Sequence, residues 1–433
     1  MYNLNNNVMV LNGNRLFPLF RWADILEKHG MLQLFVPGLY YYERYDPLIR
    51  ILRPFASDKI NRGIVKFQQY RTQHIPESKI THAPLSEFFS HIPYVRIFGS
   101  KTANLAALDL YRRKAARLAR KYRPKVLVIR ACYGGLVAEI AKRQGARIIT
   151  YHSIVHPDDL LEVGEKFRRE FGIDDFHRAD PYNRQAIFDM TIADAVVTIS
   201  EYARESLCKH GVPSEKIFVI PEGIDSVTEH VAREEGVCAS PGEGPLKPLY
   251  AGSIDARKGF IDIVEAMAIL DDPTFELVAY GALPSDSPIP DMVRAKNVSI
   301  RLLPSLPREK LFREMGQASV FVFPSHAEGG ARVVPEAAAM GMAIITTRES
   351  ASFVEDGVHG IVVKPWDPMA LAEAIIRLRD DRTLAARLGR TAREEVFSTY
   401  TMANLERRIL DMLGKFATEL DAGLASAQRL AAS

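Results

Sequence analysis

The chain alternates short apolar runs with amphipathic stretches almost from end to end, and that period limits the folds open to it. In the first half the clearest strand-like runs are Val8–Leu11, Val126–Arg130, Arg147–Tyr151, Ala195–Ile199 and Ile217–Ile220. Helical patterns such as Leu136–Gln144 and Ala203–His210 lie between them, the second closed by Gly211 and Pro213. A polar stretch bearing Gly and Pro, Ser226–Pro248, reads as an interdomain linker. A second alternation follows, with strands at Leu249–Gly252, Phe275–Tyr280, Val298–Leu302, Ser319–Phe323, Ala343–Thr347 and Ile361–Val363. Helical patterns accompany it at Phe260–Leu270, Arg308–Met315, Pro335–Met340, Pro368–Arg379 and Leu384–Phe397. The expected fold class is α/β: two Rossmann-like, doubly wound domains, residues 1–235 and 246–400, facing a central cleft. A last helical pattern, 402–430, is able to cross back to the first domain. Residues 43–100 mix Pro, Tyr and Arg without a steady period and read as insertions around the active-site face.

At 433 residues the chain exceeds one ordinary domain. Its 47% hydrophobic and 25% charged residues suit a sizeable core. A formal net charge of +3 gives no support for a dedicated nucleic-acid binder. Cys132, Cys208 and Cys238 are too scattered for a disulfide framework or a zinc site, which points to a reducing compartment. No apolar run reaches transmembrane length, and the first residues lack the basic-then-apolar pattern of a signal peptide. A cytoplasmic protein is expected, with no metal and no cofactor. The basic helical stretch 111–125, YRRKAARLARKYRPK, could make peripheral contact with the inner face of a membrane, although a solvated helix face is the commoner outcome.

Ligands of doubly wound sheets bind beyond the carboxyl ends of strands, and the chemistry-bearing motifs here sit at such ends. The richest is Ser325–Gly341, SHAEGGARVVPEAAAMG. Strand, Gly-containing turn and helix present backbone N–H groups to a phosphate. Glu328 and Glu336 flank that turn; carboxylates repel phosphate but accept strongly from hydroxyls. A ligand with hydroxyls on both sides of a phosphate is implied, and a nucleotide sugar is such a ligand. Alternatively, Glu328 simply complements a helix dipole and Glu336 is one exposed helical residue. The dense apolar setting of Glu336 argues against the latter. A second motif, Leu249–Gly259 (LYAGSIDARKG), places Arg257 and Lys258 beside a helix start, where two cations would neutralise a diphosphate. A third, Arg147–Ser153 (RIITYHS), ends on His152, which should project into the cleft; His29, His156 and His326 have weaker positional arguments. Ile220–Asp225 (IPEGID) reads as a structural turn near the hinge, and Asn12-Gly13-Asn14 after the first strand as a weak close-approach signal.

From about Lys125 onward these pieces resemble the GT-B retaining glycosyltransferases of family 4. RIITYHS, DAVVTISEYARESLCKHGVPSEKIFVIPEGID, LYAGSIDARKGFIDIVEAM, SHAEGGARVVPEAAAMGMAIITT and GIVVKPWDPMALAEAI occur in the family's order. The resemblance implies catalytic roles for His152, Lys258 and Glu328. Lys258, with Arg257, would hold the donor diphosphate near Gly252 and Ser253. Glu328 would bind the transferred sugar, Glu336 the ribose, and the backbone of Gly329, Gly330 and Ala331 the phosphate. Gly13 would lie on the acceptor side. Two departures stand out: Ser253 occupies the place of a frequent arginine, and one glycine, Gly13, stands where a pair is usual. The implied reaction is metal-independent hexosyl transfer from a nucleoside diphosphate sugar to a glycan or lipid-linked glycan, as in cell-surface polysaccharide biosynthesis. Glu328→Ala is expected to abolish it with little loss of fold. The alternatives are a sugar-nucleotide epimerase on the same fold and a catalytically silent nucleotide-sugar-binding module. A dinucleotide oxidoreductase would need a G-x-G-x-x-G turn, which the chain lacks.

Overall fold

Two six-stranded parallel sheets carry the structure, a computed structural model that describes residues 4–13, 18–42, 46–52, 74–89, 100–172, 181–240, 244–272, 275–284 and 287–431. The first sheet is built from β1 (Val8–Gly13), β2 (Leu32–Pro37), β3 (Val126–Arg130), β4 (Arg147–Tyr151), β5 (Ala195–Thr198) and β6 (Ile217–Val219), in the order β2-β1-β3-β4-β5-β6. The second comprises β7 (Pro248–Ala251), β8 (Leu277–Tyr280), β9 (Ile300–Leu303), β10 (Val320–Phe323), β11 (Ala343–Thr347) and β12 (Ile361–Val363), in the order β12-β11-β10-β7-β8-β9. Central strands such as VLVI, IITY, VFVF and AIITT are buried throughout, because helices cover both faces of a parallel sheet. The Rossmann-like α/β class expected from the alternation is the one found.

Strand order fixes where a ligand can sit. In the second sheet the chain runs outward from β7 through β8 to β9, then returns to start β10 on the other side of β7. The loops after β7 and β10 therefore leave the sheet side by side, at the switch point where doubly wound folds bind ligands. In the first sheet the corresponding point lies between β1 and β3.

Several elements depart from the sequence reading. The edge strand β2 has no strand-like run in the sequence, because Gln33 interrupts it; the Gln33 amide donates to the Tyr122 carbonyl at 2.9 Å. Helices Leu19–Lys28, Pro157–Phe171, Pro181–Ile192 and Ile289–Ala295 add to those expected from the sequence. The expected linker opens as a helix, Ser226–Glu229, capped by Asp225 Oδ1 accepting from the Thr228 amide at 3.0 Å. Val231 and Ala232 then enter the second core, so core membership changes between Ile220 and Ile224 rather than after residue 235.

The helix Met402–Ala431 returns to the first half, where Leu405, Ile409, Met412, Leu413 and Phe416 join Trp22, Tyr151 and Ile220 in one cluster. Their spacing is one helical face. The helix Ser100–Tyr122 buries Tyr111, Ala115, Ala116 and Ala119. Arg112 and Lys114 turn to the carbonyls of Cys132 and His82, while Arg113, Arg117, Arg120 and Lys121 face outward. Among the described residues no helix is long and apolar enough to cross a membrane. Of residues 43–100, segments 46–52, 74–89 and Ser100 are described.

Candidate active site

The turn after β7 and the turn after β10 interlock. Gly259 has φ +74°, and a Cβ there would stand 1.9 Å from the Pro324 carbonyl oxygen, so only glycine lets the two loops approach this closely. The His326 amide and Ser325 Oγ both bond the Arg257 carbonyl, at 2.9 and 3.1 Å. This clamp brings Arg257, Lys258 and Glu328 together. Arg257 Nη1 donates to Glu328 Oε1 and to the Ala327 carbonyl, each at 2.8 Å. Lys258 Nζ donates to the same Oε1, as does Ser325 Oγ at 3.1 Å. Burial pulls the Lys258 ammonium below its ordinary range, and Glu328 opposes that pull. Ser253 supplies no cation, yet Arg257 on the same turn sets its guanidinium beside Lys258. Gly252 donates to the Tyr280 carbonyl at 3.0 Å, and the Ser253 carbonyl accepts from Tyr250 Oη at 2.5 Å.

Next to this cluster the two halves touch. A Cβ on Gly329 would lie 2.1 Å from the Ser153 carbonyl oxygen, and one on Gly330 would lie 2.8 Å from Ile199 Cδ1. Ser200 Oγ donates to the Gly329 carbonyl at 2.6 Å across the same seam. The glycine pair thus serves close approach between halves as well as turn formation. Of the amides expected to cradle a phosphate, that of Ala331 is occupied: it donates to the Ser350 carbonyl at 3.0 Å. Those of Gly329 and Gly330 meet no backbone acceptor among the described residues.

His152 follows β4 and stands immediately before Ser153, one residue from the seam. It is buried, its pKa is pushed down to about 4 by desolvation, and its Nε2 lies 3.2 Å from the Val155 carbonyl. A neutral ring facing a carbonyl carries its proton on that nitrogen, leaving Nδ1 as an acceptor. The other candidate histidines, His29, His156 and His326, have structural partners. His326 is walled in by the rings of Trp366 and Phe167, and His29 pairs with Glu406 at 2.7 Å. His156 Nδ1 caps a helix by accepting from the Asp158 amide. His156, Asp158 and His210 do group metal-ligating atoms. The two rings are stacked at 4.2 Å with 14° between their planes, so their nitrogen lone pairs run side by side instead of converging.

Gly13, at the end of β1, is set by packing. Its φ is +75°, its amide donates to Tyr111 Oη at 3.1 Å, and a Cβ would enter the Tyr133 ring at 2.5 Å. Its neighbour Asn14 lies outside the described residues.

Glu336 occupies a second charged cluster, which the sequence did not announce. Its side chain is 13% exposed, and Oε1 meets Arg308 Nη2 at 2.8 Å and Arg332 Nη2 at 4.0 Å. Burial raises the pKa of this carboxyl, while Arg308 and Arg332 hold it down. The same Arg308 nitrogen reaches Asp225 Oδ2 at 3.0 Å, and Asp225 pairs in turn with Arg21 at 3.3 Å. Arg332 Nε stands 3.4 Å from Glu222 Oε2, whose other oxygen accepts from Tyr151 Oη at 2.5 Å. Three arginines face three carboxylates drawn from both halves. The turn Ile220–Asp225, read as structural, supplies two of those acids; no spacing in the sequence marks Arg21 and Arg308 as their partners. A cavity of about 340 Å³ lies alongside, lined by Glu222, Gly330 and Arg332 with Phe353, Tyr400 and Arg408.

Residues 240–395 match the family described as Glycosyl transferases group 1, and residues 78–227 match Glycosyltransferase Family 4. Glycogen synthase of Mycobacterium tuberculosis is 28% identical over 215 residues, 48% of this chain and 51% of that protein. The capsular polysaccharide biosynthesis glycosyltransferase CapM of Staphylococcus aureus is 26% identical over 177 residues, 39% and 46% of the two chains. The chain spans about half the length of the curated relatives it matches. Among solved structures, HepE of Anabaena in complex with UDP-glucose superposes with a TM-score of 0.60 at 14% identity, over 94% of this chain and 99% of that one. With both halves of the sequence matched and the strand layout shared, the chain belongs to the group 1, family 4 glycosyltransferases of the GT-B fold.

Proposed function

We propose that the chain is a retaining, metal-independent hexosyltransferase that uses a nucleoside diphosphate sugar and a glycan or lipid-linked glycan acceptor. The observation carrying this reading is the convergence of Arg257, Lys258 and Glu328 at the β7/β10 switch point. Without a diphosphate the two cations share Glu328; an arriving diphosphate would draw them to itself and leave Glu328 to accept from sugar hydroxyls. In the transfer step the bond from the sugar's anomeric carbon to the phosphate oxygen breaks. A bond to the acceptor oxygen forms on the same face, and the acceptor's proton passes to the departing phosphate. Charge growing on that phosphate is the main electrostatic load, which Lys258, Arg257 and the Gly329–Gly330 amides would stabilise. Neutral His152 would accept from a hydroxyl of the transferred sugar, and Glu336 from the ribose.

UDP-hexoses head the donor panel because HepE is seen with UDP-glucose, and a surface-polysaccharide acceptor is the first to try because of CapM. The test begins with a thermal-shift panel of UDP-, GDP- and ADP-hexoses, since a ligand of the folded state raises the melting temperature. Transfer is then followed by NMR, with and without EDTA. The expected result is a product with the donor's anomeric configuration, formed equally in EDTA. Tight donor binding without turnover would instead indicate a binding module, and an epimerised sugar from donor alone an epimerase.

A further inference from the structure

The Glu336 side chain is 13% exposed, yet only its Oε1 is engaged; Oε2 takes no partner among the described residues. The residue that fixes Oε1 is Arg308, at the first position of helix Arg308–Gln317. Its Nη2 lies 2.8 Å from Glu336 Oε1, 3.1 Å from Asp225 Oδ1 and 3.2 Å from Thr228 Oγ1. Asp225 and Thr228 belong to the turn where the chain passes into the second core, and Asp225 is held in addition by Arg21 from helix Leu19–Lys28. One nitrogen of Arg308 thus links the carboxylate of Glu336 to Asp225 and Thr228. A guanidinium held this way fixes which carboxylate oxygen is engaged, where a mobile ammonium would leave either free to bind.

We propose that Arg308 is a positioning residue for donor binding, orienting the Glu336 carboxylate so that its second oxygen accepts from the vicinal hydroxyls of the nucleotide ribose. This rests on the reading of Glu336 as the ribose-binding carboxylate. Arg308 itself touches neither the sugar nor the phosphate; its effect reaches the ligand through Glu336. The groups facing Glu336 are Arg308, Arg332 at the start of its own helix, Asp225 and Arg21. Asp225 favours the protonated acid and the three arginines the ionised one, against a burial that favours the acid. A protonated Glu336 is a poorer acceptor, so removing Arg308 should both misorient the carboxyl and bring its protonation to a higher pH.

The test compares binding of UDP, GDP and ADP with binding of their 2′,3′-dideoxy counterparts, by titration calorimetry, in the full chain. The wild type is expected to prefer the ribose form by about tenfold. Arg308→Met should lose most of that preference, and what is left should fade at a higher pH than in the wild type as pH is lowered. Arg308→Lys should keep part of it. Lys258→Met should weaken both forms alike and keep the preference. An unchanged ribose-to-dideoxy ratio in Arg308→Met overturns the proposal; if that variant does not fold, as read by circular dichroism, an unchanged ratio in Arg308→Lys does so. A wild type that binds nucleoside diphosphates without ribose preference also overturns it. A wild type that binds none of them refutes the donor reading itself.

Discussion

Gly329 and Ser153 approach so closely that no side chain fits between them: a Cβ on Gly329 would stand 2.1 Å from the Ser153 carbonyl oxygen. The glycine follows Glu328 in the second half, and the serine follows His152 in the first. This one contact therefore sets the spacing between the two groups proposed to flank the transferred sugar. Gly329→Ala must push the halves apart or shift the loop, at a cost of about 1–3 kcal/mol. The expected outcome is a larger radius of gyration by small-angle scattering and at least tenfold slower transfer, with nucleoside diphosphate affinity changed much less. Unchanged turnover would show that this seam is not part of the productive arrangement.

His152 gives a pH signature. Its folded pKa, about 4, lies below its ordinary 6.5, so between these values the unfolded chain binds a proton that the folded chain does not. Stability must then fall as pH drops from about 6.5 to about 4, by on the order of 3 kcal/mol. His152→Asn should flatten that part of the melting-temperature profile. In the wild type, transfer should show no limb from His152 above about pH 5. A variant profile that superimposes on the wild type's acid limb would remove burial of this ring as the cause.

Glu328 changes its expected mutational behaviour once its partners are known. From sequence, Glu328→Ala loses activity and keeps the fold. In the structure Glu328 Oε1 is the shared acceptor of Arg257, Lys258 and Ser325, so alanine leaves two largely buried cations facing each other. Breaking such a cluster costs about 3 kcal/mol. Lys258, already lowered by burial, loses the neighbour that opposed the shift. Its folded value falls further below the unfolded one, so the unfolded chain binds more protons and stability rises with pH. The melting deficit of Glu328→Ala should therefore shrink between pH 7 and pH 10, whereas Glu328→Gln, which retains an acceptor, should show a smaller and flatter deficit. Scanning fluorimetry across that range decides between them.

Local pattern revealed the sheets well. β3, β4, β11 and β12 coincide with their sequence-derived limits because each centres on a run of β-branched and apolar residues bounded by polar residues or a turn. β2 is hidden in the sequence because an edge strand tolerates Gln33, which interrupts the run. The positions of candidate residues that follow strands are legible for the same reason: Lys258, Glu328 and His152 are each placed by a strand end and a turn. Arg21, Glu222, Asp225 and Arg308 were not. They meet only through tertiary contact between segments up to 204 positions apart, and nothing in their own neighbourhoods distinguishes them from solvated charges. Arg257 is intermediate. Its position beside Lys258 was visible, but its hold on Glu328 depends on the Gly259–Pro324 approach, which only the folded chain displays.

Gly13 separates a structural glycine from a substrate-binding one. Its amide is already taken by Tyr111 Oη, its φ is +75°, and the Tyr133 ring occupies the space a Cβ would need. Tyr111 is buried, and burial pushes its phenol well above its ordinary range, so it remains a neutral donor and acceptor at any working pH. Its hydroxyl donates to the Val36 carbonyl, which ties β1, β2 and the helix Ser100–Tyr122 together. Gly13→Ala combines backbone strain with a clash against an aromatic ring, and should cost about 2–4 kcal/mol. Tyr133→Ala in the same chain removes the clash but not the strain, so Gly13→Ala should destabilise the Tyr133→Ala background by only about 1 kcal/mol. Chemical denaturation of the four variants measures the difference. Equal costs in both backgrounds would mean that the ring is not what reserves this position for glycine, and would return Gly13 to consideration as a contact for the acceptor.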